Sequence, residues 1–140
     1  MQLAAIVAFY QQLTPAAVAR FPEFYSEDAE FKDPFNTVRG VSAIQRIFSH
    51  MFGQVAEPRF VVSEQIVDAG GALLVWDFHF RIRRWGLDKS QVICGVSHLR
   101  FAADGRVCYH RDYWDAAEEL YMKLPLIGVL MRGLRRLLAA

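Results

Sequence analysis

The sequence predicts an α+β fold, and three features carry that prediction. The first third is patterned for helices. After Gly53 the hydrophobic period changes from 3.6 to 2, and long strand-like runs then follow one another with only short turns between them. Helices gathered ahead of strands, rather than alternating with them, give an α+β architecture instead of a parallel α/β one.

The elements follow in order. Leu3, Ile6, Val7, Tyr10 and Leu13 recur at helical spacing over residues 2–13. Thr14 and Pro15 restart a helix, as N-cap and first helical residue, and it runs to about Phe24 with a distortion at Pro22. Residues 28–32 read as a short strand that ends at Asp33 and Pro34, because proline has no N–H for a ladder. Residues 42–52 form a helix burying Ile44, Ile47, Phe48 and Met51, with Gly53 as its stop. Residues 59–67, 72–84, 90–101 and 106–115 read as four strands, with turns at 68–71, 84–89 and 102–105. Such a run forms an antiparallel meander that can curl around helices on one face. Residues 125–138 carry Leu126, Ile127, Leu130, Met131, Leu134, Leu137 and Leu138 on one stripe, and Arg132, Arg135 and Arg136 suit the negative end of that helix. This basic amphipathic helix either covers the domain or a dimer partner, or lies on an anionic membrane surface.

Composition narrows the function classes. The 140 residues fit one domain, and 54% hydrophobic with 14% aromatic residues exceeds ordinary soluble usage. The excess implies a large core, an apolar cavity or a dimer face. A net charge of +1 gives no field for nucleic acid or acidic partners. Cys94 and Cys108 lack metal-ligand spacing and read as reduced core residues. No His-x-His or Glu-x-x-His pair occurs, and neither a glycine-rich phosphate loop nor a Gly-x-Ser-x-Gly elbow is present; no metal and no cofactor is expected. No stretch is long enough to span a bilayer, and Met1-Gln2-Leu3-Ala4 lacks the basic start of a signal peptide, so a cytoplasmic location is expected.

Two places carry chemistry. A strand ending in Asp33 delivers a carboxylate into whatever cavity the strand lines, where apolar walls suit a general base; alternatively Asp33 only caps a turn, since Asx-Pro is a common turn starter. In the last strand alternation puts Cys108, His110, Asp112 and Trp114 on one face, and Val107, Tyr109, Arg111 and Tyr113 on the other. A carboxylate beside an imidazole and a large aromatic forms a proton-handling site, unless Asp112 merely pairs with an arginine and fixes register. Trp76, Phe78, Phe80 and Ile82 read as an inner wall. Asp77, His79, Arg81 and Arg83 then face outward or into a dimer interface, and His98 with Arg100 falls on the convex side. His50 is assigned no role, and Arg81, Arg83, Arg84 and Trp85 read as a solvated basic turn.

Tyr25-Ser26-Glu27-Asp28-Ala29-Glu30-Phe31-Lys32-Asp33-Pro34, the Gly40-x-x-Ala43-Ile44 helix start and the strands around Val96–Phe101 and His110–Trp114 resemble the cone-shaped superfamily of nuclear transport factor 2, with its SnoaL-like cyclases and steroid Δ-isomerases. The resemblance implies a cone-shaped α+β barrel over residues 1–118, with 119–140 as a helical extension. It implies Asp33 as the proton-shuttling base and Tyr10 as the phenol on the developing oxyanion. Ser97 stands where steroid isomerases keep a protonated carboxyl, and is a weaker donor. Asp112 matches the acid/base residue that SnoaL-like cyclases carry on their last strands. The expected catalytic set is thus Asp33, Tyr10, Asp112 and His110, in a pocket lined by Phe31, Phe48, Phe52, Trp76, Phe78, Phe80 and Trp114 with Ser97 as a polar contact. The expectation is cofactor-independent acid–base chemistry on a small hydrophobic molecule (steroid-, polyketide- or lipid-like), or else a non-catalytic binding module of the same fold. A homodimer through the convex sheet face is implied too.

Overall fold

The alternating runs pair into one six-stranded sheet in a computed structural model that describes residues 3–82, 89–119 and 125–139. The strands are β1 Tyr25–Lys32, β2 Thr37–Arg39, β3 Ala56–Asp68, β4 Gly71–Ile82, β5 Lys89–Phe101 and β6 Val107–Tyr113, in the order β2-β1-β6-β5-β4-β3. β3 to β6 form the antiparallel meander that their short turns dictate. β1, which lies outside that meander, pairs parallel to β6. Most of the chain separates these two strands, so no hairpin forces them to run in opposite directions. The sheet is curved and open, with β2 and β3 at its edges.

The helices are α1 Leu3–Gln11, α2 Phe21–Phe24, α3 Val41–Gln54, α4 Ala116–Glu119 and α5 Pro125–Leu138. Thr14 does cap the second helical segment, its Oγ1 accepting the Ala17 N–H at 3.2 Å. That segment is a 3₁₀ turn, Ala16–Arg20, followed by the single turn α2 rather than one helix. Pro22 sits in the first turn of α2, where its missing N–H leaves no gap. β1 starts three residues earlier than sequence period indicates, and the short β2 and α4 carry too few apolar positions to show a period.

The core lies between the helices and the concave sheet face. Phe9 stacks on Phe24 and Phe21 on Tyr25, while Ile6, Ile44, Leu74, Leu99 and Val107 are fully enclosed. Trp76, Phe78 and Phe80 face inward from β4, and Asp77, His79 and Arg81 face outward, as alternation requires. Cys94 corrects the expectation of core thiols: it is exposed and Cys108 is half-buried, and neither is in a disulfide. The reason is parity, since Ile93, Gly95, Ser97 and Leu99 take the inward positions of β5. Arg83, Arg84 and Trp85 of the basic turn lie outside the described residues, as does the side chain of Leu126. No helix among the described residues is long and apolar enough to cross a membrane.

Candidate functional site

A small hollow sits inside the curve of the sheet, lined by Tyr10 of α1, Phe48 of α3, Phe60 and Val62 of β3, Leu74 and Trp76 of β4, Ser97 of β5, and His110 and Asp112 of β6. β3, β4 and β6 each contribute two residues two positions apart, the direct product of period-2 patterning. The hollow measures about 20 Å³, room for roughly one water molecule. Beside it β3 breaks register between Val62 and Glu64. Such irregularities re-aim side chains on edge strands.

The polar groups of the hollow form one continuous chain. Tyr10 Oη lies 2.6 Å from Tyr25 Oη, and Tyr25 Oη lies 2.7 Å from His110 Nδ1. On the far side of the imidazole, His110 Nε2 is 2.6 Å from Asp112 Oδ1. Ser97, directly across from Asp112 on β5, donates to the same Oδ1 at 2.5 Å and accepts the Trp76 Nε1–H at 2.8 Å. With Asp112 ionised, one placement of hydrogens serves every member. Tyr10 donates to Tyr25, Tyr25 to Nδ1, and Nε2–H to the carboxylate. No buried side-chain nitrogen or oxygen among the described residues lacks a partner. Phe31 stands edge-on to the His110 ring at a centroid distance of 4.9 Å and Tyr25 stacks on it at 6.0 Å, so the ring is held in place. Asp112 also borders an open groove of about 540 Å³ with Lys32, Asp33, Pro34, Arg111, Tyr113, Trp114 and Asp115. Its carboxylate therefore joins the enclosed chain to a solvent-facing surface.

Both phenols hold their protons above the ordinary tyrosine value of 10.0. Burial is the main cause in each case, and the nearby charge of Asp112 adds to it. They are donors across the physiological range and not phenolates. Because the folded state keeps these protons longer than the unfolded chain, their contribution to stability is complete below about pH 10 and is lost as pH rises from there through the folded-state values. The melting temperature should thus fall steeply on the alkaline side, and Tyr25→Phe should flatten that limb.

The structure brings Tyr10, His110, Asp112, Ser97, Trp76 and Phe48 of the expected residues to the hollow. Asp33 is elsewhere. Its Oδ1 accepts the backbone N–H of Phe35 at 2.8 Å and of Asn36 at 2.6 Å, and the Asn36 side-chain amide at 3.1 Å. This is the turn-capping alternative, and it arises because donors two and three residues away are met before any distant cavity. Phe31 lies behind His110 in the core, while Phe78 and Phe80 stack in line with Phe60 beyond the hollow. Phe52 is half-buried at the core margin. Trp114 follows the end of β6, packs at the core margin and meets Phe35 edge-on at 5.5 Å, bordering the outer groove rather than the hollow. Asp33→Ala is expected to lower stability by about 1–2 kcal/mol through the lost turn bonds, as read from a urea melt.

Tyr25, Phe60, Val62 and Leu74 were not anticipated as site residues. Tyr25 shares parity with Ala29 and Phe31, so extending the strand backward would have found it, although the ladder slips between Tyr25 and Glu30. Phe60 and Val62 lie opposite Phe78 and Trp76 in the β3–β4 register. Among the described residues no three His, Cys, Asp or Glu side chains are grouped closely enough to hold a metal ion.

Comparison with known proteins identifies the domain. The profile of the SnoaL-like domain matches residues 6–110. A steroid Δ-isomerase of Nocardioides simplex is 25% identical over 113 residues, covering 79% of this chain and 87% of the relative. Among solved structures, a SnoaL-like polyketide cyclase described as putative, from Jannaschia sp. CCS1, superposes with a TM-score of 0.71 at 14% identity, over 83% of this chain and 86% of that one. A hypothetical protein with a ketosteroid isomerase-like fold from Catenulispora acidiphila, solved with trimethylamine, gives 0.70 at 13% identity over 84% and 88%. With three-quarters of its length matched and the α+β cone in place, the chain belongs to the SnoaL-like domain family.

Proposed function

We propose that the protein is a cofactor-independent acid–base enzyme of the isomerase or cyclase type, acting on a small apolar ring compound with a carbonyl group. The observation that supports it most is the unbroken chain from Tyr10 through Tyr25 and His110 to Asp112, set among aromatic walls. Ser97 and His110 both donate to Oδ1 of Asp112, which leaves Oδ2 as the oxygen to take a proton from carbon next to the carbonyl. As that proton moves to Asp112, the C–H pair becomes the enolate double bond and negative charge collects on the carbonyl oxygen. The Tyr10 O–H, turned from Tyr25 toward the guest, stabilises it. Return of the proton from Asp112 to another carbon completes an isomerisation; attack of the enolate carbon on a second carbonyl, with the Asp112 proton passing to the alkoxide so formed, completes a cyclisation. No proton or electron is left over.

A guest of that size needs Phe48, Phe60 and Val62 to part, because the hollow as it stands holds about one water. The same observation favours the second reading, a non-catalytic module with a nearly filled core. The two separate by carbon-bound deuterium uptake. Apolar cyclic ketones, β,γ-unsaturated ones included, are incubated with the protein in D₂O and followed by NMR. Exchange at the carbon next to the carbonyl well above the buffer rate supports the enzyme. Binding shifts without exchange for every ketone tried leave the module.

A further inference from the structure

The strongest feature that the site does not use is α5, Pro125–Leu138. Ile127, Leu130, Leu134, Leu137 and Leu138 follow helical spacing along one stripe, and they are 47%, 63%, 44%, 78% and 82% exposed. No other described element packs extensively against this helix. A continuous apolar stripe left in water marks a surface that something covers. The other side of the helix carries Arg132, Arg135 and Arg136, and the sequence Pro-Leu-Ile-Gly-Val-Leu-Met-Arg-Gly-Leu-Arg-Arg-Leu-Leu contains no acid.

We propose that α5 seats the protein in the plane of an anionic phospholipid surface. Its leucines enter the boundary between headgroups and acyl chains, and its arginines meet lipid phosphates. At 14 residues the helix is about 21 Å long, too short to cross the hydrocarbon layer and long enough to lie on it. The sign of its charge argues against a second copy as occupant. Helices that pair through an apolar stripe commonly set opposite charges along its margins, and α5 has only positive ones to offer. Arginine also suits phosphate oxygens through its forked N–H geometry. The inference is independent of the chemistry assigned to the hollow, and an apolar substrate dissolved in the bilayer would be close at hand.

The test is flotation of the full chain with phosphatidylcholine vesicles, with and without phosphatidylserine. Co-flotation is expected with the anionic vesicles alone and should weaken as salt is raised. Arg132→Glu combined with Arg135→Glu and Arg136→Glu should lower the partition coefficient on the order of 100-fold. Leu130→Asp with Leu134→Asp should abolish flotation as well. Failure to float with phosphatidylserine vesicles overturns the proposal, and so does equal binding to neutral vesicles. Light scattering that shows the leucine variant turning a dimer into a monomer, with flotation unchanged, assigns the stripe to a second copy and overturns it too.

Discussion

Asparagine at position 112 is expected to lower ketone deuterium exchange about 100- to 10,000-fold, the range contributed by a positioned general base. The side chain keeps its size, and one amide oxygen can still accept from Ser97 or His110. What it loses is the capacity to take a proton. Binding of the ketone should therefore survive, so the effect appears in kcat while the dissociation constant moves little. A stability cost of about 1–3 kcal/mol accompanies it, because two donors now compete for a neutral acceptor in a buried place. Asp33→Asn is the control. Its carboxylate serves the turn, so exchange should stay within a few-fold of the parent. An Asp112→Asn protein with full activity would return Asp112 to the role of fixing register and remove the proposed base.

Gly95→Ala is expected to cost about 3 kcal/mol of stability, although it adds a single methyl group. Gly95 lies directly across from Trp76 in the β4–β5 ladder, and the indole covers its α-carbon. A Cβ there would stand 2.3 Å from Trp76 Cη2 and 2.5 Å from Cζ2. The ring cannot easily swing away. Its Nε1–H is held by Ser97, Phe60 meets it edge-on at 5.5 Å, and the hollow beside it has room for about one water. Relief requires breaking the Trp76–Ser97 bond, which also loosens the donor that orients Asp112. Differential scanning calorimetry should show a melting temperature about 10 °C lower, and tryptophan fluorescence should shift as the indole moves. An unchanged melting temperature would mean that the sheet opens locally at no cost, and that the Trp76–Ser97–Asp112 link is not a rigid one.

Much of the site was legible because it rests on short-range pattern. His110 and Asp112 are two apart in a strand, so they share a face whatever the rest of the chain does. Trp76 and Ser97 follow from the same parity, and Tyr10 from helical spacing around Ile6 and Val7. Asp33 shows the converse. Its residue type permitted both a turn and a base, and the choice fell to backbone donors within three residues. Tyr25 was hidden by a ladder slip that ordinary alternation does not announce. Phe60 and Val62 reach the hollow only through the pairing of β3 with β4, and the size of the hollow depends on how side chains from six separate elements meet.

By itself the sequence determined the fold class, the order of helices and strands, the polar pair on the last strand and the amphipathic tail. All of these are periodic or nearest-neighbour properties, written along the chain. Only the tertiary structure decided that β1 runs parallel to β6, that Tyr25 links Tyr10 to His110, that Asp33 is spent on a turn and that the hollow is nearly closed. Those outcomes depend on contacts between residues distant in sequence, where register and side-chain packing are settled jointly and no local pattern records the result.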